Sequence, residues 1–176
     1  MERLKDEINS IKDEKIRKLT IYLLELAPKT FWTHAASSSG YHHPPQSNGE
    51  GGLVQHTKMI CSMVPIICRA YDMKHEERDE IMCAALLHDI HKHSYTHAID
   101  TSNWMYSDEI LLKIRESNPD VLVQSYGRIA DMIKMHMGRW TKVPHSKGIE
   151  KYTTQEWILH LADMVVTNQK IYFKWD

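Results

Sequence analysis

Histidine is the residue type in excess here, with 12 copies among 176 residues. Imidazole is the commonest metal ligand and titrates near neutral pH, so the histidines are the first place to look for chemistry. His88 and Asp89 are adjacent in AALLHDIH and follow Ala84 and Ala85 by four residues. That spacing sets both on the inward side of a helix that also carries Ile81 and Leu87. His56 shares a helical face with Leu53, Ile60 and Met63, and His136 continues the face of Ile129, Met132 and Ile133. Asp163 stands in ILHLADMVV beside apolar Trp157, Leu161, Met164 and Val165. A lone histidine on an apolar face is ordinarily a hydrogen-bonded core residue. Inward polar positions on four separate helices are harder to explain that way, because a buried carboxylate such as Asp89 needs a cation or strong donors. Imidazole and carboxylate donors together suit a divalent ion, Mn, Fe, Co, Zn or Mg, and not a sulfur-type site.

The elements that must position these groups are helices. Leu4, Ile8, Ile11, Ile16, Leu19, Leu23 and Leu26 recur at helical steps, giving an N-terminal helix with a break near Ile11 to Glu14 and an end at Pro28. Residues 31–52 then form a Ser-, Gly-, His- and Pro-rich loop, long enough to have a function of its own. Further helices are predicted at Leu53 to Tyr71, bent near Pro65, and at His75 to His91, Ser107 to Ser117, Val121 to Met137 and Thr154 to Tyr172; Ser94 to Trp104 looks irregular. No strand alternation is sustained. The expected fold is an all-α bundle of six or seven helices in one domain spanning 1–176: a helix over 1–28, a loop over 31–52 and a helical core over 53–172.

Composition narrows the function classes. Hydrophobic residues at 42% and charged residues at 26% suit a folded globular chain rather than a disordered or fibrous one. Twenty-two Lys and Arg against 23 Asp and Glu, a net charge of -1, argue against wholesale wrapping of nucleic acid, and no duplex binding is expected. The longest apolar run, Met59 to Cys68, is about half the length of a bilayer span, and the charged N-terminus lacks a signal-peptide core. A cytoplasmic protein without a membrane partner is the expectation. Cys61, Cys68 and Cys83 form no C-x-x-C pair and read as buried free thiols.

GEGGLVQHT, LLHDIHKH, MIKMHMGRW and LHLADMVV occur in that order, and the chain from about Trp32 to Asn168 thereby resembles the HD-domain metal-dependent phosphohydrolase superfamily. The resemblance implies that His56, His88, Asp89 and Asp163 hold a first metal ion. It also implies a second ion in some members, for which His136 with His97 or His93 would be the further ligands. One or two divalent ions are therefore expected. The family's HDIGK is HDIHK here, so His91 replaces a glycine and the turn after the metal pair is expected to differ. The stretch YHHPPQSNGEGGLVQHT is similar to one in bacterial HD-type 3′-to-5′ exoribonucleases and related small phosphohydrolases, and His136 and His160-x-x-Asp163 also resemble that branch. Small phage and bacterial HD enzymes that hydrolyse deoxynucleotides are a weaker likeness, through chain size and the spacing of His56 from His88.

The activity this implies is hydrolysis of a nucleotide phosphoester by metal-activated water, with Asp89 and Lys92 as catalytic groups. Lys92 would neutralise phosphate charge; Arg139 and Lys142 are weaker candidates for the same task. The long loop would form the substrate wall, with Trp32, Tyr41 and His43 stacking on a base and Ser38, flanked by Ser37 and Ser39, donating to phosphate or sugar. Trp32 could equally anchor the loop to the core. Gly51 and Gly52 would permit close backbone approach. Balanced charge favours a small soluble nucleotide, while the exoribonuclease-like stretch favours cyclic or short oligonucleotides. The rival from another class is a catalytically silent module that binds a nucleotide. Homo-oligomerisation through the N-terminal helix is a further expectation, and the same apolar stripe could instead cover the chain's own core.

Overall fold

From Asp79 to Ile90 every residue is buried, so the helix that runs through Asp79 to Leu87 has no solvent face over that stretch and must lie at the centre of the fold. The computed structural model describes residues 1–37, 43–93, 105, 107–117, 125–140 and 147–168. Eight α-helices occur among them: α1 (Lys5–Asn9), α2 (Glu14–Glu25), α3 (Lys29–Thr33), α4 (Gly52–Ala70), α5 (His75–Leu87), α6 (Asp108–Ser117), α7 (Tyr126–Met135) and α8 (Thr154–Val166), with no strand. The central helix is α5, and α1, α2, α4, α7 and α8 all pack on it. The expected bundle is thus all-α, and its extra helices are two five-residue segments, α1 and α3. None of the described helices is long and apolar enough to cross a membrane.

The predicted break in the N-terminal helix falls at residues 10–13, and its cause is a side chain from the centre of the fold. Buried Asp79 accepts hydrogen bonds from the backbone N–H groups of Lys12 (2.8 Å) and Asp13 (2.7 Å), while the Asp13 carboxylate caps α2 through Lys15 and Ile16. The stripe of Ile8, Ile11, Ile16, Leu19 and Leu23 is buried within the chain's own core. On the far side, buried Glu80 accepts from Arg128 of α7 at 3.0 and 2.5 Å and from Gln155 of α8 at 2.8 Å, fixing those two helices to α5. Cys61, Cys68 and Cys83 are free and buried, and burial pushes the Cys68 and Cys83 thiols up to about 11 and about 12.

The loop over 31–52 is shorter than its sequence implies, because α3 and a 3-10 turn at Pro45–Ser47 occupy part of it. Its described ends are stitched together by Ala36 N–H to Ser47 O, Gly51 N–H to Thr33 O and Leu53 N–H to His34 O, each 2.9 Å. Arg3 adds donors to the carbonyls of Trp32 (3.3 Å) and Gly51 (3.4 Å). Gly51 has φ +70°, a left-handed conformation that favours glycine, and a side chain there would meet the Arg3 guanidinium. A Cβ on Gly52 would collide with the Ser47 carbonyl. The glycine pair therefore serves the packing of the loop on the start of α4, where the sequence had suggested room for a ligand. Gly52→Ala is expected to cost about 1–3 kcal/mol of stability, since backbone is what must move. A denaturant melt indistinguishable from that of the parent protein would refute the close approach.

Candidate metal centre

Four helices deliver their ionisable groups to one place. His56 comes from the first turns of α4 and is fully buried. The helix predicted to continue to His91 ends at Leu87, so His88 and Asp89 stand at its exit, in the turn that runs to His93. His88 still has helical dihedrals (φ −53°, ψ −38°), and Ile90 is still buried, which is why the apolar pattern alone overruns the end. His136 follows the last residue of α7. Asp163 lies on α8, at the edge of a buried face made by Ile158, Leu159, Ala162 and Val166; Met164, part of the apolar context read from sequence, is exposed.

The geometry is that of a ligand cluster. One ligand atom each from His56, His88 and Asp163 lie within 4.8 Å of one another. His56 Nε2 is 3.2 Å from Asp163 Oδ1, His88 Nε2 is 3.4 Å from Asp89 Oδ2, and His136 Nε2 is 3.7 Å from Asp89 Oδ1. The His88 and His136 rings are 5.1 Å apart, and the His56 and His88 rings 5.4 Å. Nδ1 of His88 donates to the Ala85 carbonyl at 2.8 Å, and Nδ1 of His136 to the Ile133 carbonyl at 2.5 Å. A carbonyl only accepts, so Nδ1 carries a proton in each, and in the neutral imidazole the lone pair is on Nε2. Nε2 of His56, His88 and His136 are all buried without a hydrogen-bond partner. Buried nitrogens of this kind are expensive unless a cation takes their lone pairs. The donor set, imidazole with carboxylate, fits a divalent ion.

Charge balance in the cluster is set by its neighbours. Burial alone would raise the Asp89 carboxyl, but the Lys92 ammonium at 2.7 Å, with His88 and His136 beside it, holds it well below the carboxylate range. Burial likewise opposes ionisation of Asp163, and the His56 imidazole next to it, helped by His88 and His136, overcomes this and keeps it ionised. Burial lowers His56 and His136. His88 is raised, burial being outweighed by Asp89 and Asp163. Lys92 is also raised, since Asp89 outweighs the burial of its ammonium; the side chain is 29% exposed.

The loop contributes His43. It is buried, its ring lies 4.8 Å from that of His56, and Nδ1 has no partner. Burial first, then the charges of His56 and Lys92, push it down to about 4. Trp32, by contrast, packs on the hydrophobic core edge-on to Phe31. Arg139 is exposed, three residues past His136. His93, one of the two histidines suggested as a partner for His136, has Nε2 2.8 Å from the Ala35 carbonyl. Ser38, Tyr41 and His97 lie outside the described residues. His160, to which no role was assigned from sequence, is buried and donates from Nδ1 to the His136 carbonyl at 2.7 Å. Its position one turn before Asp163 was the signal.

These shifts predict how the metal-free protein responds to acid. His43, His56 and His136 bind protons more readily unfolded than folded, so stability falls as pH drops below 6.5; His88 alone among the four works in the opposite direction. His43 contributes on the order of 3 kcal/mol between pH 6.5 and about 4. In the presence of chelator, Tm is expected to fall between pH 7 and pH 5, and His43→Gln to flatten that fall. A Tm that rises on acidification would contradict the burial of these imidazoles.

An all-α bundle that gathers histidines and carboxylates from four helices around one centre, in the chain order H, HD, D, is a scaffold on which a metal ion could be held. The chain belongs to the HD domain family, which matches residues 53–168 and so takes in every one of the ligand candidates from His56 to Asp163. It is also similar to the dihydroneopterin 2′,3′-cyclic phosphate phosphodiesterase of Methanocaldococcus jannaschii, at 36% identity over 108 residues, covering 52% of this chain and 40% of that protein. The chain thus matches less than half the length of that relative. No solved structure matches it.

Proposed function

We propose that this protein is a metal-dependent hydrolase of phosphoester bonds in small nucleotide-type substrates, with residues 1–176 acting as one HD unit. The observation that carries the reading is the set of buried, unpartnered Nε2 atoms of His56, His88 and His136 facing Asp89 and Asp163, with the Lys92 ammonium at its edge. His56, His88, Asp89 and Asp163 would hold one divalent ion, and His136 with Asp89 a second. Bound there, such an ion lowers the pKa of a water toward neutrality and polarises the phosphoryl oxygen. Lys92 spends one of its three N–H donors on Asp89 and has two left for a phosphate oxygen. His43, neutral at pH 7, offers a hydrogen bond from its ring beside His56. Arg139 is the candidate for a further contact to phosphate, Ser38 for one to phosphate or sugar, and Tyr41 for stacking on a base.

A second reading, opening of a cyclic phosphodiester, is favoured by the activity for which the M. jannaschii relative is named. One P–O bond of the ring would break, the water oxygen would join phosphorus, and the proton given up by that water would pass to the freed ring oxygen, making it a hydroxyl. Both readings are tested by a metal-resolved screen of the purified protein against nucleoside mono-, di- and triphosphates, 2′,3′- and 3′,5′-cyclic nucleotides and short RNA, with products identified by mass. Turnover of monophosphate esters without cyclic substrates selects the first reading, and the reverse selects the second. Tight nucleotide binding without product under any metal would leave only the silent binding module.

A further inference from the structure

We infer that His160 is a positioning residue for His136, through which α8 governs occupancy of the second ion; the inference rests on the reading of His136 as a ligand of that ion. The last carbonyls of a helix have no intrahelical partners. At the end of α7 two of them are met from outside: Tyr152 Oη donates to Met135 O at 2.7 Å, and His160 Nδ1 donates to His136 O at 2.7 Å. The His136 ring is tied at Nδ1 to Ile133 O, so ring and backbone of this one residue are held at both ends and Nε2 is left facing Asp89.

The seat of the His160 ring is built to match. Gly138 has φ +58°, and a Cβ there would collide with Cε1 of the imidazole, so glycine is what lets the ring lie against the turn after His136. Tyr152 and Trp157 flank the ring at centroid distances of 6.0 and 5.7 Å, and His160 itself is 5% exposed. On the same helix, Asp163 lies one turn further on and faces His56. One rigid element thereby reaches both halves of the centre: Asp163 acts on the His56 side, and His160 on the His136 side. Partners of this kind behind a ligand ordinarily change metal affinity by about 10–100-fold when removed.

The test is equilibrium binding of Mn²⁺ alone, by dialysis and elemental analysis, on the full chain and on His160→Leu, His160→Asn, Gly138→Ala and His136→Ala, with circular dichroism to confirm the helices. Leucine keeps bulk and loses the donor, whereas the asparagine amide places an N–H where Nδ1 stood. His160→Leu is expected to weaken one of two ions at least ~10-fold and leave the other unchanged, with His160→Asn recovering to within about threefold of the parent. If His160→Leu does not fold, Gly138→Ala, which displaces the ring with His160 retained, is expected to weaken the same ion. Unaltered binding of both ions in a folded His160→Leu, or in Gly138→Ala where leucine fails, reduces His160 to packing and overturns the inference. If His136→Ala removes an ion and the His160 variant does not, only the positioning role falls. If His136→Ala itself still binds as the parent does, the second-ion reading falls and takes the positioning role with it.

Discussion

Asp89→Ala is expected to lose both bound metal and turnover, by a factor beyond 10³, while the helical bundle persists. Asp89 stands between His88 and His136, its two oxygens lying 3.4 and 3.7 Å from their Nε2 atoms. On the proposed assignment, its removal takes a ligand from the first ion and the shared anion from the second. The fold should survive, because no described backbone contact depends on the Asp89 side chain and the hydrophobic core around α5 is untouched. One cost is added by the structure. The Lys92 ammonium loses its partner at 2.7 Å. Because the lysine side chain is 29% exposed it can swing toward water, so a loss of about 1–3 kcal/mol is expected rather than unfolding. Elemental analysis, circular dichroism and a turnover assay on the same preparation check all three parts. Unchanged metal content in a folded, inactive variant would remove Asp89 from the ligand set.

How far the sequence reaches can be judged residue by residue. His56, His136 and Asp163 are visible as polar interruptions of apolar helical faces, and the structure brings His56 and Asp163 together with His88. The end of α5 was not visible, since helical dihedrals at His88 and the burial of Ile90 prolong the periodicity past the last hydrogen-bonded turn. For the same reason α5 looked like an amphipathic helix with a stripe. The sequence pattern gives Asp79 and Glu80 no role, and only the tertiary structure shows that one is anchored by the backbone of residues 12 and 13 and the other by Arg128 and Gln155. The glycine pair before α4 signalled close approach, but a sequence cannot say whether the approaching group is a ligand or, as here, Ser47 and Arg3. His160 is legible in the sequence only through its spacing in His160-x-x-Asp163; its hydrogen bond to a main-chain carbonyl leaves no mark in the side-chain pattern.

Lys92→Ala is expected to slow turnover by about 10²–10³ while leaving metal content near that of the parent protein. The lysine is not a ligand. It stands three residues past Asp89, with Nζ on Oδ2, and its protonated state is reinforced by Asp89 and Asp163 against the burial of the ammonium. A fixed positive charge at the rim of an ion cluster is placed to meet phosphate charge, which grows on the transferred group as the P–O bond breaks. Loss of that charge should therefore appear in kcat more than in KM. Lys92→Arg restores the charge but spreads it over a planar fork that does not reproduce a compact ammonium, so partial recovery is the expected result. Metal affinity should not drop in Lys92→Ala, because the substitution removes a cation that competes for Asp89 and leaves every ligand in place. An ordinary exposed lysine would leave the rate within about twofold. Full activity in the alanine variant would assign Lys92 to the ion pair with Asp89 alone, whereas a parallel loss of metal would show that it supports the ligand geometry rather than the substrate.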